Sequence, residues 1–428
     1  MGLVVYNRIA KVENMFKAAE KAYRLLLGGA LLAVLVGSSS IAWAASQVPG
    51  VTADQILVGN LGPQTGAAAA YDGVRKGILT YFNYVNSQGG VNGRKLKLIA
   101  YDDQYQPAKT VQLTRRLVDQ DHVFAMLGNI GSPTNAAVEK YIRKKGVPMI
   151  MLGSGATRFF QPPLDNYMGA FIASYAFEAR VMVHYAIKDL GAKRIAIAYD
   201  NDDYGSPIND AATKALKNYP NAKVVARVNF QPTDADLSAQ AQKIKQAKPD
   251  AILVFATPSP TAHLRKALYN IGATSGIDFL TTQEGGNDHE IFSLTGEKVW
   301  DGSYSIAPIP SADTDSKKMK LFVKEFHKAF PDIPPTGQPQ LGWAAAQVFV
   351  EAVRRTKDLT RENFLKSFYT FNDWKDSLYV GISFNKDNHW GVTSLFINQA
   401  KGDQMVPVSG LISIDPKTGK FSETGSVD

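Results

Sequence analysis

Two stretches gather hydroxyl groups where an apolar run ends. GNIGSPTNAAVEKYI (128–142) and MLGSGATRFF (151–160) place Ser132, Thr134, Ser154 and Thr157 beside glycines and their bare backbone amides, Gly155 among them. No obvious acid, base or metal ligand accompanies these donors. Ser132 or Thr134 could simply cap the helix that follows, accepting from its first free N–H groups. The same geometry lets a carboxylate take the place of the capping oxygen, with the Ser132 and Thr157 hydroxyls donating to it. One helix-end interaction supplies about 0.3 to 1 kcal/mol, so several donors must converge. Such a set suits an anion that is bound rather than transformed.

Other chemistries find little material. GSGATR at Gly153 has two glycines of a dinucleotide fingerprint, but Arg158 stands where the third is expected. There is no phosphate loop of the GxxxxGKS/T type and no GxSxG nucleophile elbow. The paired acids Asp102 with Asp103 and Asp202 with Asp203 each follow a strand; they could serve glycoside hydrolysis, or cap helices and orient loops. Six histidines show no HxxxH or HExxH spacing, and cysteine is absent. Zinc thiolate sites and structural disulfides are therefore excluded, and neither a metal nor a cofactor is expected.

The elements that position these residues begin after a distinct leader. Arg8, Lys11, Lys17, Lys21 and Arg24 precede an uncharged apolar run at 25–37, and Ala42-Trp43-Ala44 follows as a small-x-small cleavage motif. Residues 1–44 therefore read as a secretory signal cleaved near Ala44, the run being short of the roughly 20 residues needed to span a bilayer. Met15 opens a more ordinary signal and is an alternative start. The formal charge of +8 falls to +5 without this segment, and no dense Lys/Arg block interleaved with aromatics remains. A nucleic-acid partner is not expected. With no cysteine to carry a lipid, the mature chain is expected to be freely soluble.

From Ile56 onward, strands and helices alternate at the period of a βαβ unit, which predicts α/β architecture with parallel sheets. Strands are expected at 56–60, at 95–102, at 123–127 and at 147–152, with helices at 68–87, 108–119 and 134–144 between them. After a non-periodic stretch around 161–169, a second series follows with strands from Arg194, Lys223, Ala251 and Asp278. A strand at 299–310 then leads to helices at 315–330, 340–356 and 361–369, and β-like segments finish the chain. Length and composition, 428 residues with 45% hydrophobic, fit two doubly wound lobes. In such sheets ligands sit outside the carboxyl ends of the strands, where the Ser/Thr stretches fall.

GVTADQILVGNLGPQTG, VNSQGGVNGRKLKLIAYDDQYQPAKTV, GSPTNAAVEKYI, IAYDNDDYG and LTRENF together resemble the type I periplasmic solute-binding proteins of ABC importers, in particular the leucine/isoleucine/valine-binding family. The resemblance runs from about Val51 to Phe384. It implies two lobes joined by three crossovers, here near 170–174, 304–307 and 381–384, closing on a solute in the cleft. The first lobe would hold 45–171 and 307–381, the second 172–306 and 382–428.

The resemblance also implies roles. Ser132 and Thr157 would hold a solute carboxylate, with Thr134 beside them, and backbone groups at Ser154 or Gly155 would help to fix an ammonium. On the second lobe, Tyr204 would supply an aromatic wall, Glu284 or the competing Gln283 would face the ammonium, and Thr257 would line the same side; in the organic-acid alternative Phe159, Tyr71 or Tyr204 would pack on the apolar body. Family members often carry a disulfide where this chain has Tyr105 and Gly131, so packing through Tyr105 is expected instead. Arg158 and Phe159 resemble a related group that binds aromatic or other organic carboxylates.

The implied function is a periplasmic receptor that delivers a small carboxylate-bearing solute, a branched-chain or other hydrophobic amino acid, to an inner-membrane ABC permease. It would act without catalysis and as a monomer. An organic-acid receptor and a periplasmic ligand sensor remain the alternatives.

Overall fold

The computed structural model describes residues 12, 15, 17–21, 48–161, 165–286, 289–312, 314–414 and 420–424. The apolar run and the cleavage motif of the expected signal lie outside the described residues. Among those described, no helix is long and apolar enough to cross a membrane.

Five parallel strands form the first sheet: β1 (Gln55–Gly62), β2 (Lys95–Asp102), β3 (Ala125–Leu127), β4 (Met149–Leu152) and β5 (Tyr167–Ala170), in the order β2-β1-β3-β4-β5. The second sheet repeats this winding. Its strands β6 (Arg194–Asp200), β7 (Lys223–Phe230), β8 (Ala251–Phe255), β9 (Asp278–Thr281) and β10 (Tyr304–Ala307) are parallel and run β7-β6-β8-β9-β10. Strands β3, β4 and β8 are buried at every position, because helices cover both faces. They read as continuous apolar runs rather than alternating ones.

A hairpin of β11 (Ser383–Asn385) and β12 (Asn388–Gly391) packs on β5. Beyond it β13 (Ser394–Lys401) joins β10 antiparallel, and β14 (Gln404–Pro407), β15 (Leu411–Ile414) and β16 (Phe421–Thr424) extend that edge. The chain therefore passes to the second sheet for the last time between Gly391 and Ser394, beyond the expected 381–384. The hairpin is held on the first side by the Trp390 indole, which donates to Ile172 O at 3.1 Å, and by His389, whose Nδ1 lies 3.0 Å from Tyr167 O.

Helix Gln338–Arg355 anchors the first layer. It is buried from Gln338 through Val350 and lies against helix Asp72–Ser87 at van der Waals closeness. A β-carbon on Gly342 would stand 2.0 Å from Val74 O, and one on Gly77 2.1 Å from Pro339 O. Glycine at both places is what lets the two backbones meet. Trp343, fully buried on this helix, fills the space toward Tyr81 and Phe322.

Two other expectations shift. Residues 299–310 are not one strand: Glu297–Trp300 is a helical turn started by Gly296 at φ 84°, which puts the fully buried Trp300 edge-on to Phe279, and the strand itself covers Tyr304–Ala307. The stretch read as non-periodic contains β5, whose four residues are all buried and so show no alternation.

Candidate ligand-binding site

In each sheet the winding reverses beside its first strand, between β1 and β3 and between β6 and β8. The carboxyl ends there leave a crevice where loops diverge. At the first of these points the Asn60 side chain donates to Leu127 O (2.8 Å) and Gly128 O (3.2 Å), while Asn129 Oδ1 accepts from Leu61 N (3.1 Å). These buried bonds pin the loop that carries Ser132.

Gly131, at φ 100°, is the N-cap of helix Ser132–Lys145, and no side chain caps it. Ser132 is thus free of capping duty. Its Oγ lies 2.8 Å from Ser154 Oγ and 2.9 Å from the Tyr175 hydroxyl, so the two stretches singled out in the sequence meet in one buried hydroxyl chain. Ser154 Oγ also accepts from Ala156 N at 3.2 Å. Thr134 turns the other way: its hydroxyl donates back to Ile130 O and Gly131 O, as mid-helix threonines do when they satisfy the preceding turn.

On the opposite side, Tyr204 precedes helix Gly205–Leu216, and Asp202 Oδ1 accepts from Tyr204 N (2.8 Å) and Gly205 N (3.0 Å). Asp200 Oδ2 accepts from Thr257 N at 2.8 Å. In the first layer Asp102 accepts from Gln64 N and Gln104 N, and Asp103 accepts from Tyr105 N and the Thr110 hydroxyl. Asp102, Asp103 and Asp202 therefore orient loops.

Glu284 sits in the helical turn Gln283–Gly286 after β9, buried, and neither carboxylate oxygen has a hydrogen-bond partner. Burial pushes its pKa up to about 7; its own backbone and the nearby hydroxyls of Thr282 and Tyr204 keep it from rising further. Those two hydroxyls are 2.7 Å apart and bonded to each other. Glu178, one turn into helix Tyr175–Lys188, is also buried with an unpartnered Oε2; burial and then the charge of Glu284 raise its pKa well above the usual range.

Between the layers these residues enclose a cavity. Tyr71, Tyr105, Tyr175 and Tyr204 supply its aromatic wall, Ile130, Phe171, Ile172 and Leu341 its aliphatic and phenyl surface, and Gln283, Gln338 and Glu284 its polar ends. Glu284 is the one charged residue among the described residues lining it. The Tyr71 hydroxyl donates to Glu284 O at 3.4 Å, bridging the two layers. Only about 20 Å³ admits a water-sized sphere, so a solute as large as an amino acid requires the walls to part.

The cavity thus brings together Tyr71, Tyr204, Gln283 and Glu284, with Ser132 and Ser154 in the adjoining hydroxyl chain. Gly155 contributes through Tyr175, whose N–H donates to its carbonyl at 2.9 Å. Four expected residues do not line it, and neither does Thr134. Thr157 is exposed; Arg158 is exposed and paired with Glu139 at 3.0 Å. Phe159 is 1% exposed and stacks on Tyr167 with centroids 5.7 Å apart, so it is core. Thr257 is buried behind the wall, its backbone engaged by Asp200.

Tyr175 and Glu178 were not anticipated, although Ser174 signals the helix start they occupy: its Oγ accepts from Phe177 N at 3.2 Å. Gln338 and Leu341 arrive from far along the chain and carry no local signal. No group of three or more His, Cys, Asp or Glu gathers as a metal set among the described residues.

A family model described as periplasmic binding protein matches residues 55–404. The chain is similar to the amino acid binding protein of Pseudomonas aeruginosa, 28% identical over 216 residues that make up 50% of this chain and 57% of that one. It spans 57%, 60% and 64% of the first curated relatives it matches, somewhat over half their length. Among solved structures, a possible leucine/isoleucine/valine-binding protein from Rhodopirellula baltica superposes with a TM-score of 0.77 at 21% identity, covering 85% of this chain and 98% of that one. A fatty acid ABC transporter substrate-binding protein from Thermomonospora curvata gives 0.76 at 22% identity, covering 85% and 93%. At these identities the structures speak for the fold alone.

Proposed function

Because this chain belongs to the periplasmic binding protein family, we propose that it is an extracytoplasmic receptor of an ABC importer, capturing a small amino acid with a branched-chain or other hydrophobic side chain and delivering it to an inner-membrane permease. The observation that carries the ligand class is Glu284, the only charged residue on the cavity wall among the described residues, with both carboxylate oxygens unpartnered. An ionised carboxylate shut into a dry cleft is strongly unfavourable without a counter-charge, so it calls for an ammonium. The hydroxyls of Ser132 and Ser154 offer neutral donors to the other end of a zwitterion, and Ile130, Phe171 and Leu341 suit an aliphatic side chain. A ligand touching both layers favours their approach by the contacts it gains there, and that difference alone shifts the population.

A second reading rests on the raised pKa of Glu284. Held protonated, it would tolerate an aromatic or aliphatic acid without an amine, the acid lying on the Ser132 hydroxyls or on Arg158 once that residue leaves Glu139. Mass spectrometry of the solute released by denaturing the purified protein, followed by calorimetry with that compound, separates the two. An α-amino acid is expected; an acid without an amine, together with no binding of any α-amino acid, overturns the first reading.

A further inference from the structure

A second and larger space adjoins the candidate cavity. It offers about 520 Å³ to water-sized spheres, against about 20 Å³ in the cavity itself. One wall is the turn carrying Ala156, Thr157 and Arg158; the other is built by helices Tyr175–Lys188 and Gly205–Leu216, which present Arg180 and Lys214. Among the described residues, only Tyr175 lines both. Tyr175 is therefore the residue shared by a vestibule and the enclosed site.

Three contacts hold that residue. The Tyr175 N–H donates to Gly155 O at 2.9 Å, its ring stands edge-on to Tyr204 with centroids 5.3 Å apart, and its hydroxyl lies 2.9 Å from Ser132 Oγ. Gly155 leaves the room: a β-carbon there would stand 2.3 Å from the Tyr175 ring. The phenol belongs to the helix that follows residues 171–174, where the chain leaves the first sheet for the second, while Ser132 starts a helix of the first layer. The bond therefore ties the two layers across the cleft.

Ser132 has one hydroxyl proton to donate. A solute carboxylate, which only accepts, cannot use that proton while Tyr175 or Ser154 holds it. Displaced from Ser132, the Tyr175 hydroxyl is free to turn its own proton to the same carboxylate. We infer that Tyr175 is the specificity-determining gate of the ligand site: a solute passes from the vestibule by displacing the Tyr175 hydroxyl from Ser132, and the ring limits the side-chain length that the closed cavity accepts. The ligand class is thereby a compact aliphatic α-amino acid, longer side chains being turned back at the ring. This limit rests on the amino-acid reading above; the latch does not.

Two measurements on the full chain test it. Without any solute, Tyr175→Phe removes the hydroxyl and keeps the ring, so amide exchange in 131–134 and 153–156 should quicken by about two- to tenfold, the worth of one hydrogen bond. Unchanged exchange there overturns the latch. With straight-chain α-amino acids of rising length, Tyr175→Ala should move the affinity cut-off to longer chains, gaining about tenfold for 2-aminooctanoate relative to leucine. Tyr175→Phe should keep the wild-type cut-off. A Tyr175→Ala protein with the wild-type cut-off overturns the length limit, as does a Tyr175→Phe protein that loses it. If wild-type protein binds no α-amino acid at all, the amino-acid reading and the length limit built on it fail together, while the exchange experiment still decides the latch.

Discussion

The ring of Tyr105 presses on the α-carbon of Gly131 so closely that a β-carbon there would stand 2.6 Å from it, and 2.6 Å from the Thr134 hydroxyl on the other side. Aromatic packing through Tyr105 therefore occupies the place where members of the family often carry a disulfide, as expected for a chain without cysteine. Gly131 is also at φ 100°, a conformation that side chains rarely adopt. Gly131→Ala should destabilise the protein by about 1–3 kcal/mol, read from the urea midpoint. If the ring is the cause, the loss shrinks in a Tyr105→Ala background; an equal loss in both would assign it to backbone strain alone.

Replacing Glu284 with glutamine keeps the shape and removes the charge. Leucine binding should weaken by about 2–5 kcal/mol, the usual cost of losing one member of a buried charged pair. Calorimetry that finds equal leucine affinity in both proteins would remove Glu284 from ligand recognition.

The raised pKa of Glu284 sets a pH dependence with a definite sign. Between the ordinary value of 4.5 and about 7 the folded chain keeps a proton that the unfolded chain gives up. This contribution to stability is complete below 4.5 and is lost as pH rises to about 7; Glu178, shifted the same way by burial, reinforces it. Binding of an ammonium runs oppositely, because it needs the ionised form. Leucine affinity should increase through pH 7, with proton release at the acid side of that range, measurable by calorimetry in buffers of different ionisation heat. A binding heat independent of buffer would contradict it.

Arg158 separates the two ligand readings. Its guanidinium is more than half exposed and its partner Glu139 is also held by Arg143, so Arg158→Ala should change stability by no more than about 1 kcal/mol. Amino-acid affinity should stay at the wild-type level. A loss of solute affinity in this variant would favour the organic-acid reading.

The alternating strands and helices were legible because helices cover both faces of the parallel strands, giving β3, β4 and β8 uninterrupted apolar runs with Gly, Ser or Thr at their ends. The same pattern located the crevice. It did not say which hydroxyl faces it. Ser132 and Thr134 are two residues apart, yet the first joins the Ser154–Tyr175 chain and the second turns back into its own helix. Arg158 looked chemical from its type, but its direction is decided by Glu139, nineteen residues earlier in sequence. Tyr175 and Leu341 reach the cavity only through packing of elements remote in the chain, which no local spacing encodes.

Helix Gln338–Arg355 completes the first layer against Asp72–Ser87, and β13 completes the second against β10. Each half of the molecule therefore closes with segments made long after the rest of it. Contacts of such separation are slow to form, since loop closure must come before any burial rewards it. A nascent chain released before residue 401 would present the unpaired edge of β10 to other chains, so β13, made well after the parallel strands it borders, is also what guards the product against aggregation.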